Sequence, residues 1–384
     1  MYFRLNPECH FIKGEVRGAI YDLIDGKICS LDQKETKLIA SCENNEPICD
    51  DEDLLRNLRD VHVGNMYNNK VYIKKLYFGS PSLISPEGSP PELQRAYLEI
   101  NNSCNRNCWF CGYYGIKRSM GCMGCNKWKD NNESLTLKRW EKLLEELNDL
   151  GCKEIFLKGG DLTLSWNNTK SILDYAKDMF DTIYITLHKL SLSDSIVNDL
   201  DDKINIIIQS ENLNELSSRS HAYAGLLTIK PEDWRNNKDA IGNVANKDIM
   251  VDFVIDDANQ LVNNIKTMPK NMSLDVQKFT NSLKYHPCIG HTITITHSGD
   301  TIPCPMMRTH KLGNIKDKEL YTIFENANGD IYKFWGLNLN NIEKCKVCEY
   351  RYACNDCRAL EESLTGRLDG KVLCGYNPKN GEWR

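Results

Sequence analysis

The stretch Ser103–Gly112, SCNRNCWFCG, places Cys104, Cys108 and Cys111 in a C-x3-C-x2-C run. Three thiols on so short a loop constrain the chain more than any of its apolar patterns. They can hold three corners of a cubane iron–sulfur cluster, which has four irons and ordinarily takes four protein thiolates. The local run stops at three, so one iron keeps an open position that a small molecule with an amine and a carboxylate can chelate. The competing reading is a share of a zinc site, since zinc also takes thiolates.

The chain has 384 residues, enough for two or three domains, and 41% hydrophobic residues support a real core. A net charge of −5 with no basic patch argues against nucleic acid as a partner. No apolar run reaches the length of a membrane helix, and the first residues, MYFRLNPECHF, lack the regions of a signal peptide. A protein of the cytoplasm is expected. Ten of the 17 cysteines fall at 104–111 and 288–374, which in a chain of this size points to metal rather than disulfides.

In order, residues 1–90 read as short strands at FRLNP, AIYDLID and KICSL, the last two joined as a hairpin by a turn with Gly26. Two helices follow, QKETKLIASCENN and DEDLLRNLRDVHV, then a turn and an alternating strand at GNMYNNKVYIKKL. This is the outline of a winged-helix-like module, but without the basic recognition helix of a DNA binder. The Pro/Ser/Gly-rich stretch 79–93 is the clearest linker.

From residue 91 to 285 strands and helices alternate. Tyr97–Ile100 is a strand delivering the cysteine loop, as the C-terminal ends of α/β-barrel strands deliver chemistry. Cys122 and Cys125 form a further C-x2-C, suited to a redox dithiol, a metal half-site or a hydrogen-atom source, or simply two reduced thiols. SLTLKRWEKLLEELNDLG is a helix capped by Ser134 or Thr136, with Trp140, Leu143, Leu144 and Leu147 inward. A strand ending in Gly159-Gly160-Asp161 follows, where glycines let the backbone approach a ligand. DYAKDMF and SDSIVNDL read as helices, and DTIYITLH, INIIIQS, AGLLTI and DIMVDFVID as strands. Repeated β–α units imply a parallel sheet, with about six strands, too few for a closed eight-fold barrel. His188, Gln209, Ser210 and Asp252 stand at strand ends as candidate contacts to cofactor or substrate.

The cysteine run resembles the cluster motif of radical S-adenosylmethionine (SAM) enzymes, including an aromatic residue, Phe110, before the third cysteine. The resemblance implies a partial (β/α)6 barrel, a 4Fe–4S cluster on Cys104, Cys108 and Cys111, and SAM on its open iron. It also implies a 5′-deoxyadenosyl radical as the reagent that takes hydrogen from substrate, with an external donor such as flavodoxin or ferredoxin. Gly159, Gly160 and Asp161 resemble the family's Gly-Gly-Glu-Pro motif, with Asp in place of Glu and Leu162 in place of Pro. With Phe110, Gln209 and Ser210 they are the expected SAM contacts.

The first 90 residues resemble the leader-recognition element of peptide-modifying radical SAM enzymes, with Ile12–Leu23 as the matching segment. Such elements take a precursor's leader as an added strand. Residues 286–384 carry C-x10-G-x4-C at Cys288 and Cys304, then Cys345, Cys348, Cys354, Cys357 and Cys374. This resembles the SPASM extension with two auxiliary 4Fe–4S clusters, save that two residues rather than three separate Cys354 from Cys357. By position, Cys345, Cys348, Cys354 and Cys374 would hold one cluster and Cys288, Cys304 and Cys357 the other. The eighth ligand is left open among His286, His291, Cys122, Cys125 and none. A zinc ribbon is the alternative.

The expectation is an α/β enzyme, a radical SAM oxidoreductase that crosslinks a ribosomally made precursor peptide. The terminal CGYNPKNGEW is similar to maturases of which some pair with ATP-grasp ligases. Epimerisation, using Cys122, Cys125 or Cys152 to return hydrogen, and formylglycine-type oxidation are the enzymatic alternatives. A zinc-stabilised winged-helix binding protein is the non-enzymatic one.

Overall fold

The computed structural model describes all residues but 49–52, 78–92, 113–114, 218–223, 235–237, 241–247, 265–271, 273, 317, 327–329 and 384. The linker expected at 79–93 therefore lies, but for Leu93, outside the described residues.

The chain opens with β1 (Tyr2–Leu5), β2 (Cys9–Lys13), β3 (Gly18–Asp22) and β4 (Lys27–Leu31). The last three form an antiparallel meander. The β3–β4 hairpin turns where expected: Gly26 has φ +68°, and Asp22 Oδ1 accepts the Ile24 and Asp25 amides at 3.0 Å. The strand β2 was not legible in the sequence. Next come α1 (Gln33–Glu43), closed by a capping box between Asp32 and Glu35, and α2 (Asp53–Asp60), with Leu55 and Leu58 buried. Then β5 (Gly64–Tyr67) pairs antiparallel with β1.

The alternating strand expected at the end of GNMYNNKVYIKKL is not one. Residues 71–76 do alternate between half-buried and exposed, but among the described residues they join no sheet. It is held by scattered bonds instead: the Leu76 amide donates to the Pro7 carbonyl at 2.8 Å, and Lys75 Nζ to the carbonyls of Leu5, Asn6 and Cys9 at 2.8–3.4 Å.

The central sheet is built on β6 (Arg95–Asn101), β7 (Lys117–Arg118), β8 (Glu154–Gly159), β9 (Thr182–His188), β10 (Ile204–Ser210), β11 (Ala224–Ile229) and β12 (Asp248–Ile255). Among the described residues β6-β8-β9-β10-β11-β12 run parallel in that order, the six-stranded open barrel expected. The intervening helices are α3 (Leu137–Asp149), α4 (Trp166–Ala176), α5 (Asp194–Asp199) and α6 (Leu213–Ser217). Thr136 caps α3, which buries the four apolar residues expected of it. α4 begins eight residues before DYAKDMF, the segment read as helical, because a 3-10 turn at Leu162–Ser165 feeds straight into it, and it ends within that segment at Ala176. After β12 come α7 (Ala258–Asn264) and α8 (Val276–Lys284).

Both rims of the barrel are extended. On one, the short β7 lies antiparallel to β12. On the other, β13 (Thr292–Ile295) adds parallel to β6, followed by antiparallel β14 (Asp300–Ile302) and β15 (Gly313–Asn314). The expected Ser298-Gly299-Asp300 hairpin joins β13 to β14, with Gly299 at φ +88°. The remainder holds α9 (Leu320–Asn326), α10 (Asp330–Trp335), α11 (Arg358–Thr365) and a hairpin of β16 (Tyr376–Asn377) with β17 (Glu382–Trp383).

One apolar core lies between the barrel strands and their helices, including Leu98, Leu143, Ile155, Ile185 and Ile208. A second joins three parts of the chain: Ile12, Ala19, Tyr21 and Leu23 of the N-terminal meander, Phe279 of α8, and Tyr350, Ala353 and Tyr376. A barrel open at β6 and β12 is thus flanked by the two other segments, which also pack on each other.

Candidate metal centres

β6 runs directly into the cysteine loop, and the end of β8 pins that loop. A Cβ on Gly159 would lie 2.4 Å from the Asn101 carbonyl oxygen, and one on Gly160 2.2 Å from that of Ser103. Only glycines permit this approach. The Gly160 and Asp161 amides then donate to those same carbonyls at 3.1 and 2.7 Å. So here the double glycine serves the loop: Gly160 and Asp161 line the cavity it forms, while Gly159 does not. On the far side Asn102 donates to the Trp128 and Asp130 carbonyls at 2.9 Å.

Cys104, Cys108 and Cys111 line one cavity with Phe110, Asp161 and His188. Cys104 Sγ accepts the Arg106 amide at 3.4 Å, and Cys111 Sγ the Lys127 amide at 3.3 Å. Such N–H···S contacts stabilise thiolates and tune clusters. Burial pushes the Cys104 thiol up and that of Cys108 to about 11, so metal binding must displace protons. Asp161 is held by Thr163 at 2.6 Å and Ser191 at 2.7 Å, with Arg106 3.8 Å away. Phe110 is 1% exposed, lies nearly parallel to His188 and sits under the Arg118 guanidinium. His188 Nε2 is buried without a hydrogen-bond partner among the described residues.

The donor set fits a cluster better than a single ion. Zinc–sulfur bonds of about 2.3 Å set tetrahedral thiolates about 3.8 Å apart. Among the described residues no three cysteine sulfurs lie within 4.8 Å of one another. A cubane, with each thiolate on a different iron, spaces them more widely. Among the described residues the triad within that limit is Cys108–His188–Glu211, of which Cys108 and His188 line the same cavity.

The loop 118–126 crosses the barrel mouth, and inward side chains of four strands hold it. Lys158 Nζ on β8 donates to the Gly121 and Cys122 carbonyls at 2.9 and 2.7 Å. Thr186 on β9 donates to the Met123 carbonyl at 2.8 Å. Gln209 on β10 accepts from the Cys125 amide and thiol at 2.9 and 3.1 Å. Asp252 on β12 accepts from the Met120 amide at 2.8 Å and pairs with Arg118, both side chains 0% exposed. Gln209 and Ser210 are not among the residues lining the cysteine cavity. Gln209 is committed to the loop and to Thr228, and Ser210 to Glu215 and the Asn212 amide. Burial lowers Lys158 to about 8. Lys158 and Arg118 were missed in the sequence; a lysine inside the apolar IFLKGG strand was the available signal.

The pair Cys122 and Cys125 is split. Cys125 lines the cavity of Cys104, Cys108 and Cys111, and burial pushes its thiol up to about 12. Cys122 faces a second cavity of about 1120 Å³, shared with Cys288, Cys348, Cys354, Cys357 and Cys374. Cys304 lies in an apolar cluster against which Cys122, Cys288 and Cys357 pack, and Cys345 in another beside Cys354. Burial, reinforced by neighbouring thiolates, raises Cys288 and Cys304 strongly and Cys357 to about 12. Cys345 rises to about 12 and Cys354 to about 11.

Between the groups lies a buried charged knot that the sequence did not reveal. Asp356 accepts from His286 Nε2 at 3.0 Å, from Arg358 at 2.6 Å and from Lys371 at 2.5 Å. Burial opposes its charge, but Lys371, His286 and Arg358 hold it well below the carboxylate range. His286 Nδ1 accepts the Cys288 and Ile289 amides at 3.0 and 3.1 Å, so both its nitrogens are occupied.

Residues 98–215 match the Radical SAM superfamily, and residues 288–358 match SPASM, an iron–sulfur cluster-binding domain. No curated protein matches the chain. Similar solved structures include Streptococcus suis SuiB bound to precursor peptide SuiA, at 13% identity over 93% of this chain and 96% of that one, TM-score 0.47. Another is anSMEcpe with bound AdoMet and Cp18Cys peptide, at 14% identity over 76% of this chain and 94% of that one, TM-score 0.49. The chain therefore carries a radical SAM domain followed by a SPASM domain, and its cofactors are 4Fe–4S clusters and SAM.

Proposed function

We propose that this protein modifies a ribosomally made precursor peptide by radical hydrogen abstraction and closes an intramolecular crosslink, a thioether, C–C or C–O bond. Cys104, Cys108 and Cys111 would hold the SAM-binding cluster; Cys345, Cys348, Cys354 and Cys374 one auxiliary cluster; Cys288, Cys304 and Cys357 the other. Bound there, SAM supplies the 5′-deoxyadenosyl radical and the auxiliary clusters supply electron acceptance. The chain's part is positional. Phe110 and His188 offer flat faces beside the cluster loop, Asp161 and Arg106 offer charges to an amino acid, and loop 118–126 screens the site from the barrel interior.

The observation that carries the peptide reading is the docked N-terminal sheet. Among the described residues β4 pairs only with β3, which leaves its outer edge open to an added strand. That edge is anchored beside the auxiliary cysteines: Ser30 on β4 meets the Tyr350 hydroxyl at 2.6 Å, and Tyr350 packs in the core that Cys348 and Cys374 flank. In this proposal residues 1–90 bind the leader, 91–285 generate the radical and 286–384 hold the auxiliary clusters. The protein is an oxidoreductase of the cytoplasm, served by a flavodoxin or ferredoxin. Among the described residues no helix is long and apolar enough to cross a membrane.

Cys125 supports a second reading, epimerisation: a thiol kept protonated in the SAM cavity can return a hydrogen atom. Incubation with SAM, reductant and precursor in D2O separates the two. A loss of two hydrogens with two residues joined in the fragment spectrum establishes the crosslink; one deuterium taken up with no loss of hydrogen establishes the epimer. An unaltered peptide with the cognate precursor defeats both.

A further inference from the structure

Three thiols in the Cys288 group leave one iron without a protein ligand, and the loop across the barrel mouth brings a fourth. Cys122, Cys288 and Cys357 line one cavity, and all three pack on the small apolar cluster that contains Cys304. The approach is built in. A Cβ on Gly121 would lie 2.9 Å from Cε and Sδ of Met306, two residues beyond Cys304, so the loop lies against the side chain that follows the Cys304 turn. The backbone cannot drift away, because Lys158 holds the Cys122 carbonyl and Asp252 the Met120 amide. Of the other donors, His286 has both nitrogens engaged, Cys125 meets Gln209 in the other cavity, and the His291 ring packs against Tyr285 and Trp335.

We infer that Cys122 is the fourth ligand of the auxiliary cluster on Cys288, Cys304 and Cys357. This rests on the cluster assignment above and adds two consequences. The cluster is closed, so no iron there is left for a substrate thiolate. The radical SAM loop is also tied to the SPASM segment through metal: Cys122 on the auxiliary cluster and Cys125 in the SAM cavity are three residues apart, so the loop's position depends on that cluster.

The test uses the full chain with Cys104→Ala, Cys108→Ala and Cys111→Ala, which leaves only auxiliary clusters. Purified anaerobically, this protein should hold about eight irons, and cyanide, a probe for open iron, should leave its electron paramagnetic resonance spectrum unchanged. Adding Cys122→Ala should either drop iron to about seven with a 3Fe–4S signal or leave one cluster that cyanide perturbs. Adding Cys122→Ser should restore the count in part, and Cys125→Ala should change neither readout. A cyanide response before Cys122 is touched overturns the assignment without any variant at that position. So does a Cys122→Ala protein with unchanged iron and no cyanide response. If the triple variant binds zinc instead of iron, the cluster assignment itself has failed, a result distinct from the other two.

Discussion

Removing Arg118 should release the loop that crosses the barrel. Its guanidinium is 0% exposed and makes bonds to three groups: Asp252 at 2.5 Å, the Cys125 carbonyl at 3.1 Å and Asn126 Oδ1 at 2.8 Å. Arg118→Met deletes them all and strands the Asp252 carboxylate, also 0% exposed, with the Met120 amide as its remaining partner among these bonds. Breaking a buried pair by removing one member costs about 3–5 kcal/mol, because the other charge is left uncompensated. At about 1.4 kcal/mol per decade this favours loop opening by roughly a hundred- to several-thousand-fold. Hydrogen exchange of the peptide 117–127 in the anaerobic holoprotein reads that equilibrium directly. Arg118→Met/Asp252→Leu should recover most of the protection, since removing both charges removes the stranded one. Exchange in the single variant within about threefold of wild type would refute the idea that this pair holds the loop.

Two further outcomes are expected. Gly160→Ala places a Cβ 2.2 Å from the Ser103 carbonyl, so the cluster loop must move; iron should fall by about four per chain, with the auxiliary signals intact. His10 is lowered by burial, against Phe279 and Tyr77 and near Lys75 and Glu43. Its folded value lies below 6.5, so the unfolded chain takes the proton first and stability is lost as pH falls below 6.5. Melting measured anaerobically should drop between about pH 7.5 and about pH 5.5, and His10→Phe should flatten that slope.

The cysteine sets were legible because their members are close in sequence and their spacing reports the ligand rather than the fold. The barrel was legible because buried parallel strands such as INIIIQS are continuous apolar runs bounded by polar ends. Gln209 and Ser210 show where that ended. A polar residue at a strand end looks the same whether it faces cofactor, solvent or another stretch of chain, and Gln209 faces the loop that carries Cys125. Cys122 could not be told from Cys125 for the same reason. What separates them is that Cys122 packs on the apolar cluster containing Cys304, against which Cys288 and Cys357 also lie, all more than 160 residues away in sequence. The strand expected after β5 is the reverse case: residues 71–76 have the alternation of a strand, but among the described residues they join no sheet.

The N-terminal sheet should report on the cluster of Cys345, Cys348, Cys354 and Cys374, because that segment is what holds it. Tyr21 donates to the Glu349 carbonyl at 2.7 Å, the Glu15 amide to the Val347 carbonyl at 2.9 Å, and Arg351 to the Lys13 carbonyl at 3.0 Å. All three contacts come from residues 347–351, which flank Cys348. Metal binding is folding free energy for such a loop. Cys348→Ala/Cys354→Ala should therefore raise hydrogen exchange in β2 and β3 as well as around the lost cluster, and weaken binding of a leader peptide with no change in β4 itself. If exchange at β2 and β3 stays at the wild-type level once that cluster is gone, the sheet is held by the apolar contacts of Ile12, Leu23 and Phe279 alone, and the metal has no part in presenting the edge strand.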